Sequence, residues 1–596
     1  MRLILVPVAG IALAAAWILH QSQLIADDLA QARASASAVD SALAAGDAVD
    51  ARRALDQMGG ALNDAQDRTG GIAWSLAAAV PVAGHQARTA RVVVEAAGQI
   101  AHTVLPDLVT VAQRLRPAAP SAPGDVVDLR TIGSTAPALD HALLNLRRIR
   151  ASLDDQPAAS TGGQADTALA SLRRQTDALT SAVSRAAVAA HLLPPMLGAG
   201  TVRRYFLALQ TNAEARGTGG LVGAYAILVA DHGKVRFEHF GSDDDIPTAA
   251  EPVARFGPQY DALYGPSGAA RSLTASNLSP HFPYAAAVWA GLWERATGQS
   301  LDGAIATDPV GLGYLLAATG PVQLPGGQRI SAVNAVQLTE QDAYSRFPDP
   351  KQRKGFLVET ASAVGHVLET RGVTTAQYVR ALTEMAREGR LRVWSAHSSE
   401  EALLTATVIG GELPSAPGPF AELVVNNVAG TKLDYYLDRS LQYTLGPCAD
   451  DGRRAASVRI TLTNTAPVRG LPVYVAQRSD AGARAQPAGS NRLWISFYAA
   501  RGARLTGAYL DGRRFDVASE LERGHPVFST VLDFFPGQRR VIVLALDEPA
   551  SRTPPDIPVQ PLARRQSTRV SAGICGADDR RRDYSDITDR LEEESR

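Results

Sequence analysis

The chain has 596 residues, 59 Lys plus Arg against 60 Asp plus Glu, and a formal net charge of −1. That length exceeds what one hydrophobic core serves and predicts three or four folding units. Near-neutral charge provides no basic field for a polyanion, which argues against nucleic acid as a partner. The two cysteines, Cys448 and Cys575, lie far apart in sequence, and in an oxidising compartment such a pair is expected to form one disulfide.

Residues 3–19, LILVPVAGIALAAAWIL, are an uncharged apolar run between Arg2 and His20. The run is at the short end of what spans a bilayer, and Arg2 favours an inside N-terminus. A cleaved signal peptide needs a small-x-small site, and HQSQLIADD does not supply one. The expectation is a membrane anchor over 1–20, with the membrane as a partner: a single-pass cell-membrane protein whose bulk is extracytoplasmic.

Residues 21–198 read as a helical stalk or bundle. Leu139, Leu143, Leu146, Ile149 and Leu153 form one stripe at helical spacing. Leu169, Leu172, Leu179 and Val183 form a second, and Ile100, Val104, Leu108, Val111 and Leu115 a third. Gly and Pro at 70–71, 81–84, 117–124 and 160–163 mark the joints between antiparallel helices, and LLPPMLG (192–198) is expected to end the pattern. The stretch 72–82, IAWSLAAAVPV, is too short for a second span; it reads as a buried helix or as one lying on the bilayer surface.

Residues 199–413 read as an α/β domain. A strand over 205–209, a polar glycine-rich loop carrying Arg216, and strands over 223–230 and up to Phe240 lead to three carboxylates, Asp243, Asp244 and Asp245. A helix over 285–297 and a strand over 303–307 follow. Asp308-Pro309 then caps a helix to Ala318, and a long helix covers 351–371. From 414 to 577 short alternating strands, such as Val458, Ile460 and Leu462, predict a β-sandwich stapled by Cys448 and Cys575. The charged tail 578–596 has little to bury and is expected to be disordered.

The block NAEARGTGG (212–220) closely resembles the signature of the DUF4012 family, a domain of unknown function. That resemblance implies a fold and a place in the bacterial envelope but no reaction. More weakly, the order of features from 205 to about 364 is similar to the LytR-CpsA-Psr (LCP) family, which transfers glycopolymers from polyprenyl pyrophosphate to the cell wall. The matching pieces here are FLALQTNAEARGTGG, DGAIATDPVGLGYLLAATGPV and LTEQDAYSRFPDPKQRKGFLVETA. The chain departs from the family pattern at 218–220, where an acidic residue is missing, and at Lys354-Gly355.

Transfer from a pyrophosphate-linked lipid needs forked cations and a carboxylate-held metal. Arg216, Arg346 and Arg353 are the candidate catalytic cations. Glu214, Arg216, Thr218, Asn277 and Arg353 are the candidate substrate contacts, and Asp243, Asp244 and Asp245 the candidate Mg²⁺ ligands. Each has a bland counterpart: Arg216 pinning a tight loop, Glu214 in a salt bridge, the aspartates in a solvated turn. No nucleophile elbow, P-loop or clustered His ligands are present in the sequence. Two functions follow: an envelope protein that binds a polyprenyl-linked intermediate, with phosphotransfer to cell-wall polymer as the sharper form, or a non-enzymatic scaffold that binds partners.

Overall fold

The computed structural model describes residues 23–572 apart from 26, 33, 40, 43–46, 81–83, 116–127, 156–162, 372–374 and 481–485. The expected anchor and the charged tail therefore lie outside the described residues. Two units are separated close to Thr201.

The first unit is helical. Its main helices are α1 (Ala48–Gly70), α2 (Ile72–Ala79), α3 (Gly84–Gln99), α4 (Leu105–Arg114), α5 (Ala136–Asp154) and α6 (Gln164–Met196), and a π turn, Ile100–Val104, joins α3 to α4. Asp47 caps α1 by accepting from the N–H groups of Val49 and Asp50. The predicted stripes face inward except at Leu115, which is exposed: Leu139, Leu146, Ile149, Leu153, Leu169, Val183, Val104 and Val111 share one core. The break expected at LLPPMLG comes late: Pro194 and Pro195 lie in the last turn of α6, each removing an N–H donor from that turn, and the helix ends at Met196 directly after them. One helical stretch among the described residues, Gly84–Arg114, is long and apolar enough to cross a membrane, and its Val93, Ala96, Val104 and Val111 are buried in the helical core.

The second unit holds both the α/β part and the β part. A five-stranded sheet runs in the order β3-β2-β1-β4-β7: β1 (Arg203–Arg216), β2 (Gly219–Asp231), β3 (Lys234–Ser242), β4 (Gly303–Thr307) and β7 (Arg392–Ser395). β1 and β4 pair in parallel, Tyr205 opposite Gly303 through Leu209 opposite Thr307. Phe206, Tyr225, Ile227 and Ala304 pack with Phe282 and Trp289 of helix α7 (Phe282–Thr297). Helix α8 (Pro309–Thr319) follows β4, capped by Asp308, whose carboxylate accepts from Gly311 N–H at 2.8 Å. Helix α9 (Pro350–Thr370) runs so close to β3 that a Cβ on Gly365 would lie 2.8 Å from the Phe240 ring.

The β part is a two-sheet sandwich. Its strands are β8 (Ala421–Asn427), β9 (Leu437–Leu445), β10 (Arg453–Asn464), β11 (Asn491–Ala499), β12 (Arg504–Leu510), β13 (Arg513–Arg514), β14 (Ala518–Glu522), β15 (His525–Phe534), β16 (Arg539–Pro549) and β17 (Ser567–Ala572). One sheet has the order β13-β12-β16-β10-β9-β17 and the other β14-β15-β11-β8, with Leu423, Val425, Val458, Ile460, Phe497 and Leu544 in the shared core. Alternation accounts for β10, where every second residue from Arg454 to Asn464 is buried. Tyr264 of the α/β part reaches into the sandwich, bonding Tyr498 at 2.7 Å and donating to Glu522 at 2.6 Å. No disulfide is found between described residues, since Cys575 of the expected Cys448–Cys575 pair lies outside them.

Candidate functional site

The block at 212–220 is not the polar loop that its composition suggests. β1 runs on to Arg216 and β2 opens at Gly219, so the block forms the closed end of a hairpin. Register is interrupted between Leu209 and Gln210 and again between Thr211 and Ala215, leaving residues 212–214 without partners on β2. Buried N–H groups need acceptors, and distant carboxylates supply them. Glu340 accepts from Asn212 N–H at 3.1 Å, Ala213 N–H at 2.6 Å and Thr211 Oγ1 at 2.9 Å. Asp434, from the turn ahead of β9, accepts from Ala215 N–H at 2.7 Å and from the amides of Asn427 and Asn491 at 2.8 and 2.6 Å. Burial pushes Glu340 up to about 7 and Asp434 up to about 6.

Beside them Glu214 is clamped between two cations. Arg216 Nη2 donates to its Oε1 at 2.8 Å, and Lys432 Nζ donates to its Oε2. All three side chains are buried. Burial alone would raise the Glu214 pKa, but the charges of Lys432 and Arg216 outweigh it and hold the carboxyl below its ordinary value. Arg216 is consumed within the protein: Nε donates to Thr274 O at 3.1 Å, and Nη1 to Ala215 O at 2.9 Å and Asn427 O at 3.0 Å. Gln560 donates to Arg216 O at 2.6 Å, and Asn212 donates to Pro561 O at 3.0 Å.

The glycines of the block serve close approach. A Cβ on Gly220 would sit 2.1 Å from Thr211 O, and one on Gly217 would sit 2.3 Å from Leu278 O. Thr218 Oγ1 accepts from Gln210 at 2.9 Å and from Asn277 at 2.8 Å, so these two predicted contacts bond each other. The space lined by Gln210, Thr218, Asp308, Arg390 and Pro561 is too tight for a water molecule. An open groove of about 450 Å³, lined by Leu263, Ser267, Val428, Asp480, Arg492, Trp494 and Val531, contains none of the predicted site residues.

The structure thus brings Glu214, Arg216, Thr218 and Asn277 together, and connects Arg353 only at the edge. The Arg353 guanidinium lies 3.8 Å above the Tyr474 ring, which Lys432 Nζ approaches at 5.4 Å. Its Nη1 donates to Phe347 O at 2.9 Å, while Nη2 is buried with no hydrogen-bond partner among the described residues. Arg346 is exposed instead, bonding Gln328 beside Phe347 and Phe356. Asp243 and Asp244 both pair with Lys354, at 2.8 and 2.7 Å, and Asp245 caps its own turn by accepting from Ser242 N–H at 2.6 Å.

A Mg²⁺ ion does not fit that donor set: the ammonium of Lys354 stands where the cation would, and Asp245 is turned to the backbone. Among the described residues no group of three or more His, Cys, Asp or Glu is placed to hold a metal.

Sequence reasoning missed Lys432, Asp434, Glu340, Asn427 and Gln560. One signal was present, since the chain has only four lysines (234, 351, 354 and 432), and Lys432 stands in a loop bounded by apolar strands.

No curated protein matches the chain. A Legionella pneumophila protein assigned to nutrient binding is similar at 8% identity over 23% of this chain and 44% of its own, with a TM-score of 0.15. An M1 zinc metallopeptidase from Deinococcus radiodurans is similar at 19% identity over 20% of this chain and 22% of its own, with a TM-score of 0.12. The chain spans less than half the length of either structure, and at such scores neither carries an argument. The LCP resemblance is not confirmed by any of these matches. The family described as "Protein of unknown function (DUF4012)" matches residues 201–344, and the chain therefore carries a DUF4012 region, whose signature block is the hairpin end just described.

Proposed function

We propose that the chain is a non-enzymatic envelope scaffold, anchored by residues 3–19 and presenting the α/β and sandwich parts outside the membrane as one rigid body. The observation that carries this reading is the consumption of the signature's charges by the protein itself. Arg216, Glu214 and Lys432 satisfy one another and the backbone at the junction of the two parts. An active site built to bind pyrophosphate keeps cations available to an incoming anion.

A second reading, capture of a polyprenyl-linked pyrophosphate on an LCP-like domain, is favoured by the unpartnered Nη2 of Arg353, which a phosphate oxygen would satisfy. The test is calorimetric titration of the full chain in detergent with a polyprenyl pyrophosphate, with and without Mg²⁺, alongside phosphate release. The scaffold reading predicts neither heat nor release. Binding that Arg353→Ala abolishes would replace it with the second reading.

A further inference from the structure

Helix α2 lies in the helical unit and holds none of the residues of the hairpin site. Its Trp74 is buried, with Nε1 donating to Ala87 O at 3.0 Å, yet the opposite side carries Ile72, Leu76 and then Val80 at four-residue spacing, 83%, 67% and 48% exposed. Three large aliphatic groups in one exposed row are an unusual surface for a helix in water.

The neighbours of α2 say what covers that row. Ile25 packs in one cluster with Ala65, Trp74 and Val94, and Asp28 accepts from Arg68 Nε at 2.9 Å. The chain just after the apolar run 3–19 is therefore fastened to the base of α2. From Leu19 to Gln23 a chain extends at most about 14 Å, and α2 itself is only about 12 Å long. The exposed row is held within a few nanometres of wherever residues 3–19 enter a bilayer. Charge agrees, since from Thr69 to Val94 the sequence has no Asp or Glu but has the exposed Arg88 and Arg91, suited to anionic headgroups.

We propose that Ile72, Leu76 and Val80 seat α2 in the interfacial layer of the membrane that takes up residues 3–19, giving the helical unit a second, peripheral membrane contact beside the anchor. This rests on the anchored reading. An amphipathic helix of this kind buries its apolar face about 5–10 Å into the boundary between headgroups and acyl chains, a depth that one face of a two-turn helix fits.

The test uses the full chain reconstituted in vesicles of neutral and anionic phospholipid. Leu76→Cys and, as an exposed control in the other unit, Val408→Cys are each labelled with an environment-sensitive fluorophore, with wild type labelled in parallel to measure reaction at Cys448 and Cys575. A label at 76 is expected to be blue-shifted and quenched by lipids spin-labelled near the headgroup, while a label at 408 stays water-like and unquenched. Water-like, unquenched emission at 76 in chains that survive an alkaline wash would overturn the proposal and leave the anchor standing. A blue shift without lipid quenching would also overturn it, because protein, a second copy or residues 3–19, would then cover the row. Quenching at 76 in chains that the wash removes would support the seat and refute the anchor.

Discussion

Replacing Lys432 by Met tests the junction most sharply, because Met keeps the aliphatic stem and deletes only the ammonium. Glu214 then remains buried with Arg216 as its sole cation. Removing one partner of a buried pair costs about 3–5 kcal/mol, and the surviving Arg216 contact places this case at the lower end, about 3 kcal/mol. Residues 202–572 carry an unfolding entropy of about 0.8 kcal/mol/K at ~2.1 cal/mol/K per residue, so the loss corresponds to about 4 °C in Tm. Urea unfolding followed by tryptophan fluorescence measures the same loss directly. In the double variant with Glu214→Gln the two costs should overlap, giving a coupling of at least about 1 kcal/mol. A Lys432→Met protein within about 0.5 kcal/mol of wild type, with additive effects in the double variant, would refute the reasoning.

Stability should fall between pH 5.5 and 7.5. Burial raises Glu340 and Glu548 to about 7, Asp434 to about 6 and Glu422 to about 8, so the folded chain binds protons that the unfolded chain has released. That stabilisation is complete below the unfolded carboxyl pKa and is lost as pH rises through the folded values. His281, held neutral by burial, works in the opposite sense below its ordinary pKa and is outnumbered by these carboxyls and Glu401, which burial also raises to about 7. Urea midpoints at the two pH values check the sign, and Glu340→Gln should flatten the slope; a midpoint that rises toward pH 7.5 contradicts it. Gly220→Ala should cost at least about 2 kcal/mol, because its Cβ meets the backbone of Thr211 rather than a movable side chain. Calorimetry of that variant beside Gly327→Ala, whose Cβ meets nothing, separates contact from the cost of backbone conformation. Mg²⁺ at millimolar concentration should leave the wild-type Tm unchanged, since Lys354 already neutralises Asp243 and Asp244. A Tm that rises with Mg²⁺ would restore a metal to that turn.

Much of the architecture was legible because it is local. The strand at Gly303–Thr307, the Asp308 cap and the helix behind it follow from β-branched and apolar runs, an N-cap aspartate and a proline at the first turn. The sandwich strand β10 follows from its alternation. The end of β1 reads as a loop in the sequence because Asn212, Glu214 and Arg216 look too polar for a buried strand. Their acceptors and counter-charges come from Glu340, Asn427, Lys432 and Asp434, more than 120 residues away in sequence. The clustering of Glu214, Arg216, Thr218 and Asn277 was readable from one motif and one nearby loop. Residue type alone groups Arg346 and the three aspartates with them, and type does not report that Lys354 holds Asp243 and Asp244, that Asp245 caps its own turn, or that Gln328 bonds Arg346.

Native-state hydrogen exchange on the full chain tests the central claim most directly, by comparing the amides of 211–216 with those of 424–427. If the buried charges lock the α/β part to the sandwich, both segments exchange through one opening of equal free energy, and Lys432→Met lowers both by the same amount. Fast, independent exchange at 211–216, unaffected by Lys432→Met while 424–427 stays protected, would mean that the signature hairpin is free of the sandwich, and the scaffold account would fall.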